Sequence, residues 1–124
     1  MTYYNQIGYN TNRGDNIQII KTKSYSRDLR KKIISKNLTN EYNKICKIET
    51  IIKGSENFKT LIHSPLSKIY NINKKSGNLR EYYTASINSK IRLYIKPVGD
   101  YPYDLAQISI VEFNKIDDKH YGEG

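Results

Sequence analysis

The chain has 124 residues, which suits a single domain, and its 21 Lys and Arg against 12 Asp and Glu give a formal net charge of +9. The single cysteine excludes an intramolecular disulfide and a cysteine-based zinc site, and therefore a disulfide-stapled secreted scaffold. No apolar run reaches the roughly 18 residues of a membrane span and no signal-peptide pattern is present, so we expect a cytoplasmic protein without membrane contact. The positive charge is typical of proteins that bind a polyanion, and nucleic acid is the first candidate.

The chain begins with a polar segment that its composition predicts to be a flexible arm. Residues 1–16 are rich in Asn, Tyr, Thr and Gly, and Ile7 is the only aliphatic residue between Met1 and Ile17. Alternating isoleucines over 17–23 predict the first strand. The folded domain is therefore predicted to begin at Ile17.

Three helical segments are predicted after the first strand. Ser26 is expected to cap a helix over 27–37, and Thr39 a second helix whose apolar residues recur at helical spacing. Gly54 supplies a left-handed position at which the second helix ends. A short third helix is expected to end before Pro65, because the residue preceding a proline is driven out of helical backbone.

The spacing changes to alternation after the helices. Residues 80–88 and 91–96 each alternate apolar and polar side chains around a tight turn, which predicts a β-hairpin. In the second strand the aliphatic residues share the core face, so Arg92, Tyr94 and Lys96 are predicted to lie together on the opposite face.

The last predicted strand spans 107–113 and is apolar on both faces, which indicates a position inside the sheet. The order strand, helices, strands predicts an α+β fold. In this fold the N-terminal strand and a helical hairpin pack on a mainly antiparallel sheet, and the helices cover one sheet face. The other sheet face is then open to a ligand.

Motifs in the second half of the chain carry a resemblance to a known family. In chain order they are Pro65-Leu66, Gly77, the stretch Tyr82-Tyr83-Thr84-Ala85-Ser86-Ile87 and the stretch Ile91-Arg92-Leu93-Tyr94. This progression resembles that of the RelE/ParE/HigB superfamily, the bacterial toxins of type II toxin-antitoxin systems. The resemblance implies a RelE-like compact domain over 17–121, with the arm 1–16 and a short tail at 122–124 outside it.

The resemblance also implies an activity. The ending Lys119-His120-Tyr121 is similar to that of the YoeB-like branch, whose members cut messenger RNA on the ribosome. It implies a metal-independent endoribonuclease (mRNA interferase) that needs no cofactor, acts on translated mRNA and is neutralised by a cognate antitoxin protein. Two alternatives stay open: a ParE-like gyrase inhibitor, which would not need His120, and a noncatalytic RNA-binding module.

Three residues are expected to be catalytic. RNA cleavage to a 2',3'-cyclic phosphate needs a base for the 2'-hydroxyl, a cation for the charge on phosphorus and an acid for the leaving 5' oxygen. Arg92 matches the family's catalytic arginine, and a guanidinium binds phosphate through two parallel hydrogen bonds. His120 can transfer a proton near neutral pH, and Tyr121 can stack on a base or bind the phosphate.

The general base is left open by the sequence. The YoeB-like branch has a glutamate immediately before the Pro-Leu pair, whereas this chain has Ser64 there. The candidates are His120, His63 and Glu123.

Cations and tyrosines around the hairpin are expected to bind RNA, because Lys and Arg neutralise phosphates and Tyr offers a stacking plane. These residues are Arg80, Tyr82, Lys90, Tyr94 and Lys96. Lys74 and Lys75, in the loop before the hairpin, are expected to reach ribosomal RNA.

Overall fold

A five-stranded mixed sheet organises the chain in the computed structural model, which describes residues 16–118. The strands are β1 (Gln18–Lys21), β2 (Asn73–Lys74), β3 (Tyr83–Ser86), β4 (Arg92–Pro97) and β5 (Ile110–Asp117). Their order in the sheet is β1-β5-β4-β3-β2, and β1 with β5 is the parallel pair in an otherwise antiparallel arrangement. The predicted α+β class with a mainly antiparallel sheet is confirmed.

Helices pack against one face of this sheet. They are α1 (Lys23–Asp28), α2 (Thr39–Lys53), α3 (Phe58–Ile62) and α4 (Pro65–Ile69). A π-helical segment, Leu29–Ile34, continues α1, so that α1 with this segment and α2 form the predicted helical hairpin. Single 3-10 turns at Gly77–Leu79 and Leu105–Gln107 precede β3 and β5.

The hydrophobic core lies between the helices and the sheet. α2 contributes Ile45, Ile48 and Ile52, whose spacing of three and four residues places them on one helical face. β4 contributes Leu93 and Ile95, both fully buried, which confirms the predicted core face of this strand. Burying an aliphatic side chain of this size contributes about 1.5–3 kcal/mol, so this layer supplies much of the driving force for folding.

The start of α1 differs from the prediction. The helix begins at Lys23 because Thr22, and not Ser26, is its N-cap, with Thr22 Oγ1 accepting a hydrogen bond from Tyr25 N at 3.0 Å. Ser26 lies inside the helix. The earlier start buries Tyr25, which packs edge-on against Phe113 of β5 at 5.4 Å between ring centroids.

The observed ends of the other helices agree only in part with the predicted ones. Thr39 is the first residue of α2 and Leu38 its N-cap, one residue before the predicted position. Gly54 ends α2 with φ −82°, so the predicted left-handed conformation is wrong. Ser64 is extended as expected before Pro65, but Pro65 begins a helix of its own, since a proline fits the first helical position.

The last strand begins and ends later than predicted. It occupies Ile110–Asp117, because a 3-10 turn at Leu105–Gln107 takes the first predicted residue and the pairing with β4 continues to Arg92. Its interior position between β1 and β4 is confirmed.

Side chains from the α1 region complete the hydrogen bonding of β5 where β1 has ended. Thr22 Oγ1 donates to the carbonyl oxygen of Asn114 at 2.7 Å. The backbone of Ile116 is held on both sides, because Asp28 Oδ2 accepts from its N–H and Lys32 Nζ donates to its carbonyl, each at 3.0 Å. Backbone groups of a strand need such partners, so these three side chains fix the C-terminal half of β5.

Several expectations concern residues outside the described part of the chain. These are the predicted arm, apart from Asn16, the predicted tail 122–124, and the residues His120, Tyr121 and Glu123. Among the helices of residues 16–118, none has the length and apolar character of a membrane-spanning segment.

Candidate functional site

The sheet face turned away from the helices carries rows of polar side chains. Opposed residues of antiparallel strands share a face, so the register of β3, β4 and β5 defines these rows. We call this surface the outer face; its members are Thr84 and Ser86 on β3, Arg92, Tyr94 and Lys96 on β4, and Glu112, Lys115 and Asp117 on β5.

Arg92 lies at the centre of one row, between Ser86 and Asp117. Its guanidinium is held from one side, because Nη1 donates to the carbonyl oxygens of Asn88 at 2.7 Å and Ile91 at 3.3 Å. Nη2 and Nε make no hydrogen bond with residues 16–118. These two nitrogens form the edge with which a guanidinium binds a phosphate bidentately.

Asn88 fixes the turn that holds Arg92. Its Oδ1 accepts hydrogen bonds from the backbone N–H groups of Lys90 and Ile91, both at 2.8 Å. Its Nδ2 donates to Glu41 Oε2 on α2 at 3.0 Å. The Asn88 carbonyl orients Arg92, and the Asn88 side chain is itself held by hydrogen bonds to the turn and to α2.

Tyr94 lies on the outer face but is covered. The residue is 5% exposed, with the Tyr82 ring edge-on at 5.8 Å and the Lys115 ammonium 4.7 Å from the centre of its ring. Burial raises the pKa of the Tyr94 hydroxyl, and the nearby Asp117 carboxylate adds to this effect. The expectation that Tyr94 offers an open stacking plane is wrong, because side chains from two other segments cover it.

Tyr82 and Lys96 remain partly exposed beside the covered ring. Lys96 Nζ lies 3.8 Å from Glu81 Oε1, and both side chains are partly open to solvent. Exposed ion pairs of this kind contribute about 0–1 kcal/mol, so the Lys96 ammonium can exchange Glu81 for another anion.

The remaining predicted RNA-binding residues lie elsewhere. Lys90 is exposed in the turn between β3 and β4. Arg80 lies outside the rows, in an open groove of about 410 Å³ beside β2. We call it the β2 groove; it is lined by Lys74, Lys75, Ser76, Gly77, Arg80 and Tyr101.

The residues around Ser64 are not part of the outer face. Ser64 Oγ donates to the carbonyl oxygen of Leu61 at 3.0 Å, so the hydroxyl serves the local turn. His63 is exposed at the end of α3, and its imidazole makes no hydrogen bond or ion pair within the described residues.

Sequence reasoning missed Lys115 and Asp117, because the last strand was predicted to end at residue 113. A β-bulge contributes to the miss: the partner of Tyr94 is Lys115 while that of Ile95 is Phe113, which leaves Asn114 as an extra residue. The extra residue breaks the alternation of β5, so sequence periodicity does not assign the residues after it to a face. Within residues 16–118, no three His, Cys, Asp or Glu side chains come together as metal ligands.

Comparison with solved structures assigns the fold. The chain has the RelE-like fold that its hairpin motifs implied. The crystal structure of YafQ from E. coli strain BL21(DE3) matches with a TM-score of 0.53 and 14% identity, over 83% of this chain and 93% of YafQ.

Structures of YafQ with a partner give the same result. The E. coli DinJ-YafQ toxin-antitoxin complex matches with a TM-score of 0.53 and 16% identity, over 83% of this chain and 92% of the matched chain. A second E. coli DinJ-YafQ complex gives a TM-score of 0.54 at 14% identity, over 83% of this chain and 93% of the other. Similarity at this level of identity establishes the fold. No protein-family model and no curated protein matches the chain.

Proposed function

We propose that this protein is the toxin of a type II toxin-antitoxin system and that it cleaves translated mRNA at the ribosome as a metal-independent endoribonuclease. The observation that carries the proposal is the geometry of Arg92. Its guanidinium is oriented by the Asn88 carbonyl and keeps the Nη2–Nε edge without a partner in the described part of the chain. The fold shared with YafQ, which was solved with DinJ as a toxin-antitoxin complex, supports the same class.

The proposed reaction is an internal transfer at phosphorus. The 2' oxygen forms a bond to the neighbouring phosphorus while the bond to the 5' oxygen breaks, which leaves a 2',3'-cyclic phosphate and a 5'-hydroxyl. Arg92 stabilises the negative charge on the phosphoryl oxygens as the transition state forms. We assign the acid that protonates the 5' oxygen to His120, and base stacking or phosphate contact to Tyr121. β5 ends at Asp117, opposite Arg92 and three residues before His120.

The proton acceptor for the 2'-hydroxyl belongs to a short set of residues. Ser64 is not in this set, since an ordinary serine hydroxyl is a weak base and this one already donates to the Leu61 carbonyl. The proposal keeps His120, His63 and Glu123 as candidates.

Substrate binding is assigned to the cations and the ring that surround Arg92. Lys96 and Lys115 neutralise phosphates, and Tyr82 offers the partly exposed ring that covers Tyr94. Lys90 and Arg80 extend this charge beyond the outer face. Tyr94 supports the surface from below.

A protein partner follows from the charge of the chain. A net charge of +9 promotes nonspecific binding to nucleic acids unless another molecule covers the basic surface. We propose that a cognate antitoxin provides the cover with an acidic segment, as charge complementarity favours.

The test is induction of the wild type, of Arg92→Ala and of Arg30→Ala in a bacterial host, with growth curves and mapping of the 5' ends of transcripts. Arg30 is an exposed arginine in the π-helical segment after α1, so its removal changes the charge by the same amount away from the outer face. We expect cuts inside translated frames with the wild type and Arg30→Ala and none with Arg92→Ala.

Two outcomes would contradict the proposal in different ways. Growth arrest with intact transcripts would point to a gyrase inhibitor. Unchanged growth and intact transcripts on induction of a folded wild type would point to a noncatalytic RNA-binding module.

A further inference from the structure

The β2 groove brings three cations and an aromatic ring together at the edge of the sheet. Lys74 Nζ lies 5.9 Å and the Arg80 guanidinium carbon 5.6 Å from the centre of the Tyr101 ring. Lys75 and Gly77 complete the walls of the groove, whose volume is about 410 Å³. Unlike the buried Tyr94, Tyr101 is partly exposed. Its ring is therefore flanked by positive charge in an opening that a small planar group can enter.

The local backbone holds these groups in place. Gly77 has φ +64°, a left-handed conformation that glycine adopts without strain, and its carbonyl accepts a hydrogen bond from Arg80 Nη1 at 3.4 Å. Tyr101 packs edge-on against Tyr103 at 5.3 Å.

Tyr103 in turn anchors its loop by donating a hydrogen bond from its hydroxyl to the Glu81 carbonyl at 2.7 Å. Burial, with a contribution from the Glu81 carboxylate, raises the pKa of Tyr103 to about 12, so the hydroxyl stays protonated at neutral pH.

The charges in the groove have no internal compensation. None of its six lining residues is acidic, and within residues 16–118 neither Lys74, Lys75 nor Arg80 forms an ion pair. The nearby Glu81 carboxylate is directed to Lys96 instead. Three cations that converge without a carboxylate raise the local positive potential, and this potential favours an anionic ligand.

We infer that the β2 groove binds single-stranded RNA, with the phosphate backbone on Lys74, Lys75 and Arg80 and a base stacked on Tyr101. The inference rests on the proposed function and extends its substrate surface from the outer face to the edge of the sheet. The two surfaces are adjacent: Glu81 forms an ion pair with Lys96 of the outer face and directly follows Arg80 of the β2 groove in the chain.

The composition of the groove favours RNA over an acidic peptide. The carboxylates of an acidic peptide would pair with the lysines and the arginine and would make no use of the Tyr101 ring. The Tyr101 ring adds a π-surface beside the cations, and pairing of phosphate-binding cations with a stacking ring is how proteins bind single strands without sequence preference.

The experiment measures the affinity of the full chain for a short fluorescent single-stranded RNA whose 2'-hydroxyls are all methylated, so that it cannot be cut. The groove variant carries Lys74→Ala, Lys75→Ala and Arg80→Ala. The control, called the helix variant, lacks three exposed lysines of the helices and carries Lys47→Ala, Lys59→Ala and Lys68→Ala. We expect the groove variant to bind about 10-fold or more weakly and to lower the slope of log affinity against log salt by about 2. The helix variant should stay near the wild type.

The aromatic part of the inference has its own variants. Tyr101→Leu should weaken RNA binding about 5-fold or more, since the variant lacks the ring on which a base stacks. Tyr101→Phe keeps the ring and should bind as the wild type does. Thermal melting of each variant shows whether a loss of affinity comes with a loss of fold.

The outcomes separate this inference from the proposed function. If the groove variant binds RNA like the wild type while Arg92→Ala stops cleavage, the groove inference is overturned and the endoribonuclease stands. If the groove variant loses RNA binding although the wild type cuts no RNA, the groove stands without the enzyme. Equal weakening in both triple variants, or a loss of binding to a polyglutamate peptide with RNA binding intact, would also overturn the inference.

Discussion

At the scale of single residues, the orientation of Arg92 depends on Asn88 in the turn between β3 and β4. Asn88 closes the turn through its side chain and offers its carbonyl to the guanidinium. Under the proposed function Asn88 is a positioning residue, because small displacements of a catalytic group are costly to the rate.

We predict that Asn88→Ala lowers RNA cleavage about 10-fold or more, because the turn loses both hydrogen bonds and the carbonyl that holds Arg92 moves. Asn88→Asp keeps an acceptor oxygen for the Lys90 and Ile91 backbone groups and should retain most of the activity. Cleavage assays with thermal melting check this pair. Equal losses in both variants would instead point to the Glu41 contact, which the aspartate cannot make.

Tyr94 shows that the alternation of residues along a strand predicts the sheet face of a side chain but not its exposure. The pattern of β4 assigns Tyr94 correctly to the face opposite the core, because side chains of a strand alternate locally. Its cover comes from Tyr82 and Lys115, which belong to other segments. Accessibility is thus decided by neighbours that a single strand's pattern does not contain.

At the scale of elements, a charge cluster connects β1 to α2. Glu49 Oε2 lies 3.1 Å from Lys21 Nζ on β1 and 3.0 Å from Lys53 Nζ one turn along α2. Burial alone would raise the pKa of the Glu49 carboxyl, but the hydrogen bonds and charges of Lys53 and Lys21 outweigh it and leave the pKa lowered. The carboxylate is therefore more stable in the folded chain than in the unfolded one.

We predict that Glu49→Gln lowers the free energy of unfolding at pH 7 by about 0.5–1 kcal/mol, the range of a partly exposed ion pair. A lowered pKa in the folded state contributes stability above the unfolded carboxyl pKa, and this contribution is lost as the pH falls through the folded value. The difference from the wild type should therefore vanish in acid. Urea unfolding at pH 7 and at about pH 3 measures it, since an unperturbed Glu titrates at about 4.3.

The matched control is Glu56→Gln, which removes an exposed carboxylate without an ion pair in residues 16–118. It should unfold like the wild type at both pH values. A pH-independent loss in Glu49→Gln would mean that the side chain acts through packing and not through its charge.

The contact between α1 and β5 gives a second prediction at this scale. Asp28→Ala leaves the Ile116 N–H without its acceptor, and an unsatisfied buried group of this kind costs about 1–3 kcal/mol. Asp28→Asn retains an acceptor oxygen and should lose less. Urea unfolding at neutral pH tests the order; equal losses in the two variants would assign the effect to the charge next to Lys32.

The elements that the sequence predicts well are those set by local patterns. The β3–β4 hairpin and the core face of α2 follow from alternation and helical spacing within a few residues. The start of α1 and the end of β5 do not, because Thr22, Asp28 and Lys32 bond to residues 84 or more positions away. Such long-range bonds decide which of several possible caps and strand ends is used.

At the scale of the whole molecule, the positive charge is unevenly compensated. Glu49, Asp28 and Asp118 neutralise lysines on the helical side, whereas the lysines of the β2 groove have no such partner within residues 16–118. Exposed cations of the helices, among them Arg30, Lys47 and Lys59, also lack an ion pair within these residues, so positive charge is spread over the described structure. What distinguishes the β2 groove is the Tyr101 ring between Lys74 and Arg80.

The two histidines of the chain allow the catalytic assignment to be tested with a matched pair. We predict that His120→Ala reduces cleavage about 100-fold or more, the scale of general acid catalysis. His63→Ala tests the candidate base: cleavage near the wild-type rate removes His63 from the candidates. A chain ending at Asp118 should melt with the wild type, since the described core is complete by Ile116. The truncated chain should also bind the methylated RNA. It should not cut an unmodified RNA.

The melting, binding and cleavage measurements on these three variants separate fold from chemistry. A truncated chain that binds RNA but does not cut assigns residues 119–124 to catalysis, because the sheet and the β2 groove are then intact. Loss of cleavage in His63→Ala as well as His120→Ala would assign the base and the acid to the two histidines, with Arg92 as the cation between the two proton transfers. Full cleavage by the truncated chain would contradict both His120 and Tyr121, and the search for an acid would return to the outer face, where Asp117 lies opposite Arg92.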